Sequence, residues 1–67
     1  MISYRRFWQT LNEKSVSTYA LREKHNISPS TLTRMKNGKY LSMRTIEDFC
    51  KILGCRIEDI VEYIPDN

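Results

Sequence analysis

Three serines in this chain are flanked by the same apolar pair, one residue immediately before and one four positions after: Val16-Ser17 with Leu21, Ile27-Ser28 with Leu32, and Leu41-Ser42 with Ile46. Each trio predicts a helix start. The hydroxyl accepts a hydrogen bond from an otherwise unpaired amide of the first turn, and the apolar pair clips the incoming chain against that turn. The first two serines are eleven residues apart, enough for a helix of about two turns, a tight turn and a second helix. A chain so punctuated folds as short helices joined by tight turns.

Sixty-seven residues make one domain, read as 1–67, with a modest core and no room for a separate catalytic or sensor domain. The net charge of +3 conceals a strong asymmetry. Residues 1–44 carry nine Lys or Arg against Glu13 and Glu23, a net of +7, whereas residues 45–67 carry Lys51 and Arg56 against six carboxylates, a net of −4. The basic part holds the paired helix starts, as expected of a surface that faces phosphates.

Other classes are disfavoured. No apolar run is long enough for a membrane span or the core of a signal peptide, so the chain is expected to be soluble and cytoplasmic. Cys50 and Cys55 fit that compartment as reduced thiols and read as small buried hydrophobes; with His25 the only histidine, no metal site is expected. There is no Ser/His/Asp set and no phosphate-cradling glycine loop, so no catalytic residues and no cofactor are assigned. Tyr4, Phe7 and Trp8 recur at helical spacing and read as core, not as a stacking platform for single strands.

The apolar period predicts helices throughout. Helix one carries Tyr4, Phe7, Trp8 and Leu11. Helix two runs from Ser17 to near His25, where Asn26 tolerates the left-handed conformation of a tight turn. Helix three opens at Ser28 with Pro29 in its first turn and closes at Asn37-Gly38, and helix four runs from Met43 to Leu53, ended by Gly54. A fifth helix is expected with Ile57, Ile60, Val61 and Ile64 on one side, stopped by Pro65; no strand alternation is evident.

These features together resemble the Cro and phage-repressor type of helix-turn-helix domain, the xenobiotic-response-element family, and its small stand-alone bacterial branch. The resemblance spans about residues 4 to 62 and rests on Leu21, Ile27-Ser28, Thr31-Leu32, Met35, Asn37-Gly38-Lys39, Thr45-Ile46, Leu53-Gly54-Cys55 and Asp59-Ile60; the opening Ile2-Ser3-Tyr4 with Trp8, and the cysteine pair, point to the small branch. It implies an all-α, lambda-repressor-like bundle of five helices with the helix-turn-helix at about 17–37. Two positions depart from the family pattern. Arg22 stands where a small alanine usually lets the two helices cross closely, so its stem must snorkel out or the crossing widen, and Asn26 replaces the usual turn glycine. Thr18 stands in place of a frequent glutamine.

On helix three, Leu32 and Met35 must face the core, with Thr31 at its edge. The opposite side shows Pro29, Ser30, Thr33, Arg34 and Asn37. Arginine can grip guanine O6 and N7 with two parallel hydrogen bonds, so Arg34 is the leading base reader, with Ser30 and Thr33 as shorter readers, Asn37 as an adenine partner or simple cap, and Pro29 giving shape. Ser17 and Thr18 at the start of helix two, and Lys39 and Arg44 beyond helix three, are the expected phosphate contacts.

The expected function is double-stranded DNA binding as a stand-alone transcriptional regulator, a repressor, with helix 29–37 in the major groove and no small-molecule ligand. The alternative is a protein-interaction module such as an antitoxin or adaptor. A homodimer, at least on DNA, is expected through Tyr63 and Ile64, for which the fifth helix leaves no obvious partner; the competing reading folds them back on Tyr4 and Trp8.

Overall fold

The computed structural model describes residues 1–66 as four α-helices and a small strand pair. The elements are β1 (Ile2–Ser3), α1 (Arg5–Glu13), α2 (Thr18–His25), α3 (Pro29–Lys36), α4 (Met43–Leu53), a 3-10 turn (Ile57–Asp59) and β2 (Glu62–Tyr63).

All three serine caps form. Ser17 Oγ accepts from the Ala20 amide at 3.0 Å, Ser28 Oγ from Ser30 at 3.2 Å and Ser42 Oγ from Thr45 at 3.1 Å. The stops are equally local. Asn26 ends α2 with φ 58°, Gly54 ends α4 with φ 61°, and Gly38, at φ 67°, follows α3. Past α3 the Lys39 amide donates to the Arg34 carbonyl and the Gly38 amide to that of Met35, a Schellman closure that turns the chain sharply out of the helix.

Each helix contributes its apolar stripe to one core. Phe7, Leu11, Leu21, Leu32, Met35, Ile46, Phe49, Leu53 and Ile60 are buried together with Tyr4, and the rings of Phe7 and Phe49 meet edge to face at 4.9 Å. Cys50 and Cys55 are half-buried free thiols. Burial pushes the pKa of each up, which suits their reading as small hydrophobes at the C-terminal end of α4.

The fifth helix is the one element the sequence reading misplaces. Residues 57–59 form only a single 3-10 turn, closed where the Asp59 carboxylate accepts from the Arg56 amide at 3.0 Å. Ile60 is then fully buried, and the chain straightens into β2, antiparallel to β1, with Ile2 opposite Tyr63 and Ser3 opposite Glu62. The ladder continues as the Ile64 amide donates to the Met1 carbonyl at 2.8 Å. Four of the eight residues from 57 to 64 are β-branched, so χ1 restriction in a helix weighs against that form. The unpaired backbone of Met1 to Ser3 supplies the alternative partner. Thr10, the only buried polar residue among those described, fastens this segment to α1 by donating to the Asp59 carbonyl at 2.8 Å. No helix among the described residues is long and apolar enough to cross a membrane.

Candidate nucleic-acid interface

With Leu32 and Met35 committed to the core, helical geometry turns Pro29, Ser30, Thr33, Arg34 and, just past the helix, Asn37 outward, and all five are exposed. Thr31 is half-buried at the margin. Ser17 is exposed and Thr18 half-buried at the start of α2, and Lys39 and Arg44 are exposed in the loop after α3 and in the first turn of α4.

The hydrogen bonds these side chains already make define what remains available. Thr33 donates its hydroxyl proton to the Pro29 carbonyl at 3.1 Å, which leaves its lone pairs and its methyl group for a partner. Ser30 Oγ lies 2.7 Å from the capping Ser28 Oγ, so its rotamer is fixed by the helix cap. Asn37 caps α3 with its backbone amide, and among the described residues its side-chain amide makes no hydrogen bond, so it is available to a partner.

Arg34 is held differently from a freely extended reader. One of its terminal nitrogens donates to the Tyr40 carbonyl at 2.8 Å, drawing the guanidinium to the loop side of the face. The remaining donors of the fork stay uncommitted, since arginine carries five. The same loop is also held by Tyr4, whose hydroxyl donates to the Lys39 carbonyl at 2.7 Å. Burial raises the Tyr4 pKa, keeping the phenol protonated as a donor. The sequence carries no local sign of these two anchors; they preset the backbone from which Lys39 and Tyr40 project.

Ion pairing accentuates the charge asymmetry. The pairs among the described residues are Met1 ammonium with Asp66, Arg5 with Glu62, Arg6 with Asp59, and Arg56 with Glu58. They lie at the chain termini, on α1 or at the 3-10 turn. Arg22, Lys24, Arg34, Lys36, Lys39 and Arg44 are in none of them, so the surface formed by α2, α3 and the loop into α4 keeps its positive charge unneutralised. Arg22 is exposed, its side chain lying along a notch between α2 and α3.

Comparison with known proteins agrees with this geometry. The model of the Cro/C1-type HTH DNA-binding domain matches residues 6–66. The chain is 38% identical over 58 residues to the uncharacterized HTH-type transcriptional regulator YozG of Bacillus subtilis (strain 168), covering 84% of this chain and 69% of that one. The crystal structure of the transcriptional regulator VanUg superposes with a TM-score of 0.85 at 28% identity, covering 97% of this chain and 87% of that one. The match spans most of the sequence, and the chain belongs to the Cro/C1-type helix-turn-helix DNA-binding domain family.

Proposed function

We propose that the protein is a sequence-specific transcriptional regulator that lays α3 in the major groove of double-stranded DNA and represses by occupying its operator. The observation that carries this reading is the outward face of α3: polar, free of exposed large apolar side chains, and bordered by cations that pair with no carboxylate among the described residues. Arg34, Ser30, Thr33 and Asn37 serve as base readers, with Pro29 shaping the approach of the helix to the groove. Ser17, Thr18, Lys39 and Arg44 hold phosphates on either side. An antitoxin or adaptor that grips a protein would instead present an apolar anchor at the centre of its face, and α3 has none.

One α3 reads only a few base pairs, so two protomers acting on a two-fold operator supply the required specificity, with recognition helices about 34 Å apart. Tyr63, 66% exposed on β2, and Ile64 beside it are the proposed self-contact. Selection of bound duplexes from a random pool tests the whole reading. The expected result is an enriched palindrome; a pool that stays random overturns sequence-specific binding.

A further inference from the structure

Between α2 and α3 lies an open notch of about 270 Å³ lined by Thr18, Arg22, Pro29, Leu32, Thr33 and Lys36. Its walls follow from helix geometry. Thr18 and Arg22 are four apart on α2, and Pro29, Thr33 and Lys36 fall at three- and four-residue steps on α3, so two side-chain rows face each other across the helix crossing above Leu32. Each row ends in a cation, Arg22 and Lys36, both exposed and both outside every ion pair among the described residues. The arginine side chain leaves the crossing and charges the notch.

We infer that this notch is an anion site that holds one backbone phosphate of bound DNA between the Arg22 guanidinium and the Lys36 ammonium, with the Thr18 hydroxyl as a third donor. A liquid water takes about 30 Å³, so the space admits a phosphodiester group with its remaining hydration. Three of the lining residues, Thr18, Pro29 and Thr33, also belong to the proposed DNA surface, so the notch opens beside the helix placed in the groove. Arginine's fork suits two phosphate oxygens at once, and the lysine adds a compact charge from the opposite wall. Neither contact carries sequence information. The inference rests on the DNA-binding reading and adds to it a strand contact on the α2 side of α3, opposite the loop bearing Lys39.

The test compares wild type, Arg22→Gln, Lys36→Gln, the double variant and Arg22→Lys on a selected duplex, by anisotropy titration at several salt concentrations. Both side chains are exposed, and equal thermal melting of all five proteins establishes that the fold is kept. Loss of one phosphate contact is expected to reduce the slope of log K against log salt by about 0.9, equivalent to roughly eightfold weaker binding at 0.1 M salt, with base preference unchanged. Arg22→Lys should keep most of the slope. Single methylphosphonate substitutions along the duplex locate the contact. One neutralised position per half-site should weaken wild type while leaving the double variant unaffected. If the double variant keeps the wild-type slope and methylphosphonate profile, or changes base preference in place of slope, the notch does not hold a phosphate while DNA binding stands; if wild type binds no selected duplex, both readings fall.

Discussion

The Tyr4 hydroxyl donates to the Lys39 carbonyl at 2.7 Å, joining the residue that precedes α1 to a loop thirty-five positions later. Because the Tyr4 ring is itself in the core, the bond fixes the loop beyond α3 relative to the centre of the molecule. Arg34 holds the next carbonyl, that of Tyr40. Two neighbouring peptide groups are thus anchored by side chains from two different parts of the fold, and the Lys39 side chain starts from a preset backbone.

Tyr4→Phe keeps the ring and removes only this donor. The expected loss is about 1 kcal/mol, read as a lower urea midpoint at unchanged m-value. The pH dependence has a definite sign. Burial raises the Tyr4 pKa above its ordinary value, so the folded state binds the phenolic proton more tightly than the unfolded chain does. Its contribution is therefore complete below about pH 10 and is lost as pH rises through the folded value. Wild type should destabilise over that alkaline window more steeply than Tyr4→Phe; parallel curves would remove Tyr4 as the cause.

Thr10→Val tests the joint between α1 and the C-terminal segment. Valine fills nearly the same space but offers no proton to the half-buried Asp59 carbonyl, so that acceptor loses its partner, at about 1 kcal/mol. Thr10→Ser keeps the donor and should restore part of that. For a domain of this size each kcal/mol moves the thermal midpoint by about 4–8 °C, which calorimetry resolves readily.

The parts of the fold that depend on neighbouring residues could be read from sequence. The serine caps, the Asn26 and Gly54 stops and the bounds of α4 are local chemistry, written within five residues of where they act. The segment after Cys55 could not. Ile57, Ile60, Val61 and Ile64 fit a helical period, and what converts their region to a turn and a strand is Met1 to Ser3, sixty residues away. The recognition face divides the same way. Its exposure follows from the commitment of Leu32 and Met35 to the core, but the tilt of Arg34 toward Tyr40 depends on where the loop lies after folding. Arg22 reads from sequence as a packing difficulty, and only the crossing of α2 and α3 shows it at a notch.

Arg34 separates base reading from simple attraction. Arg34→Ala should lower affinity for a selected duplex by roughly 1–3 kcal/mol and flatten preference at one or two base pairs, whereas Lys39→Ala should weaken all sequences alike. Arg34→Lys retains charge without the fork and should keep non-specific binding while losing the preference. If about six phosphates are neutralised, raising salt from 50 to 200 mM should weaken wild-type binding by about a thousandfold. Equal losses for Arg34→Ala on selected and random duplexes would assign Arg34 to loop support alone.

The proposed dimer rests on what β2 leaves uncovered. The backbone of Ile64 is occupied: its amide donates to the Met1 carbonyl and its own carbonyl accepts from the N-terminal ammonium, which leaves its half-buried side chain for the proposed contact. Tyr63 is different. It faces outward at 66% exposure, directly across the ladder from Ile2, and is the large apolar side chain that β2 leaves uncovered. In the proposed two-fold contact each Tyr63 would meet the same surface of the second protomer. Tyr63→Asp is the cleaner probe, because removing an exposed ring leaves the monomer core intact, whereas Ile64→Asp also loads the ladder to Met1. Light scattering on the free protein and on its complex with a selected palindrome should give two protomers per duplex for wild type and one for Tyr63→Asp at equal monomer stability. Two protomers per duplex for the variant, bound as tightly as wild type, would exclude Tyr63 from the interface.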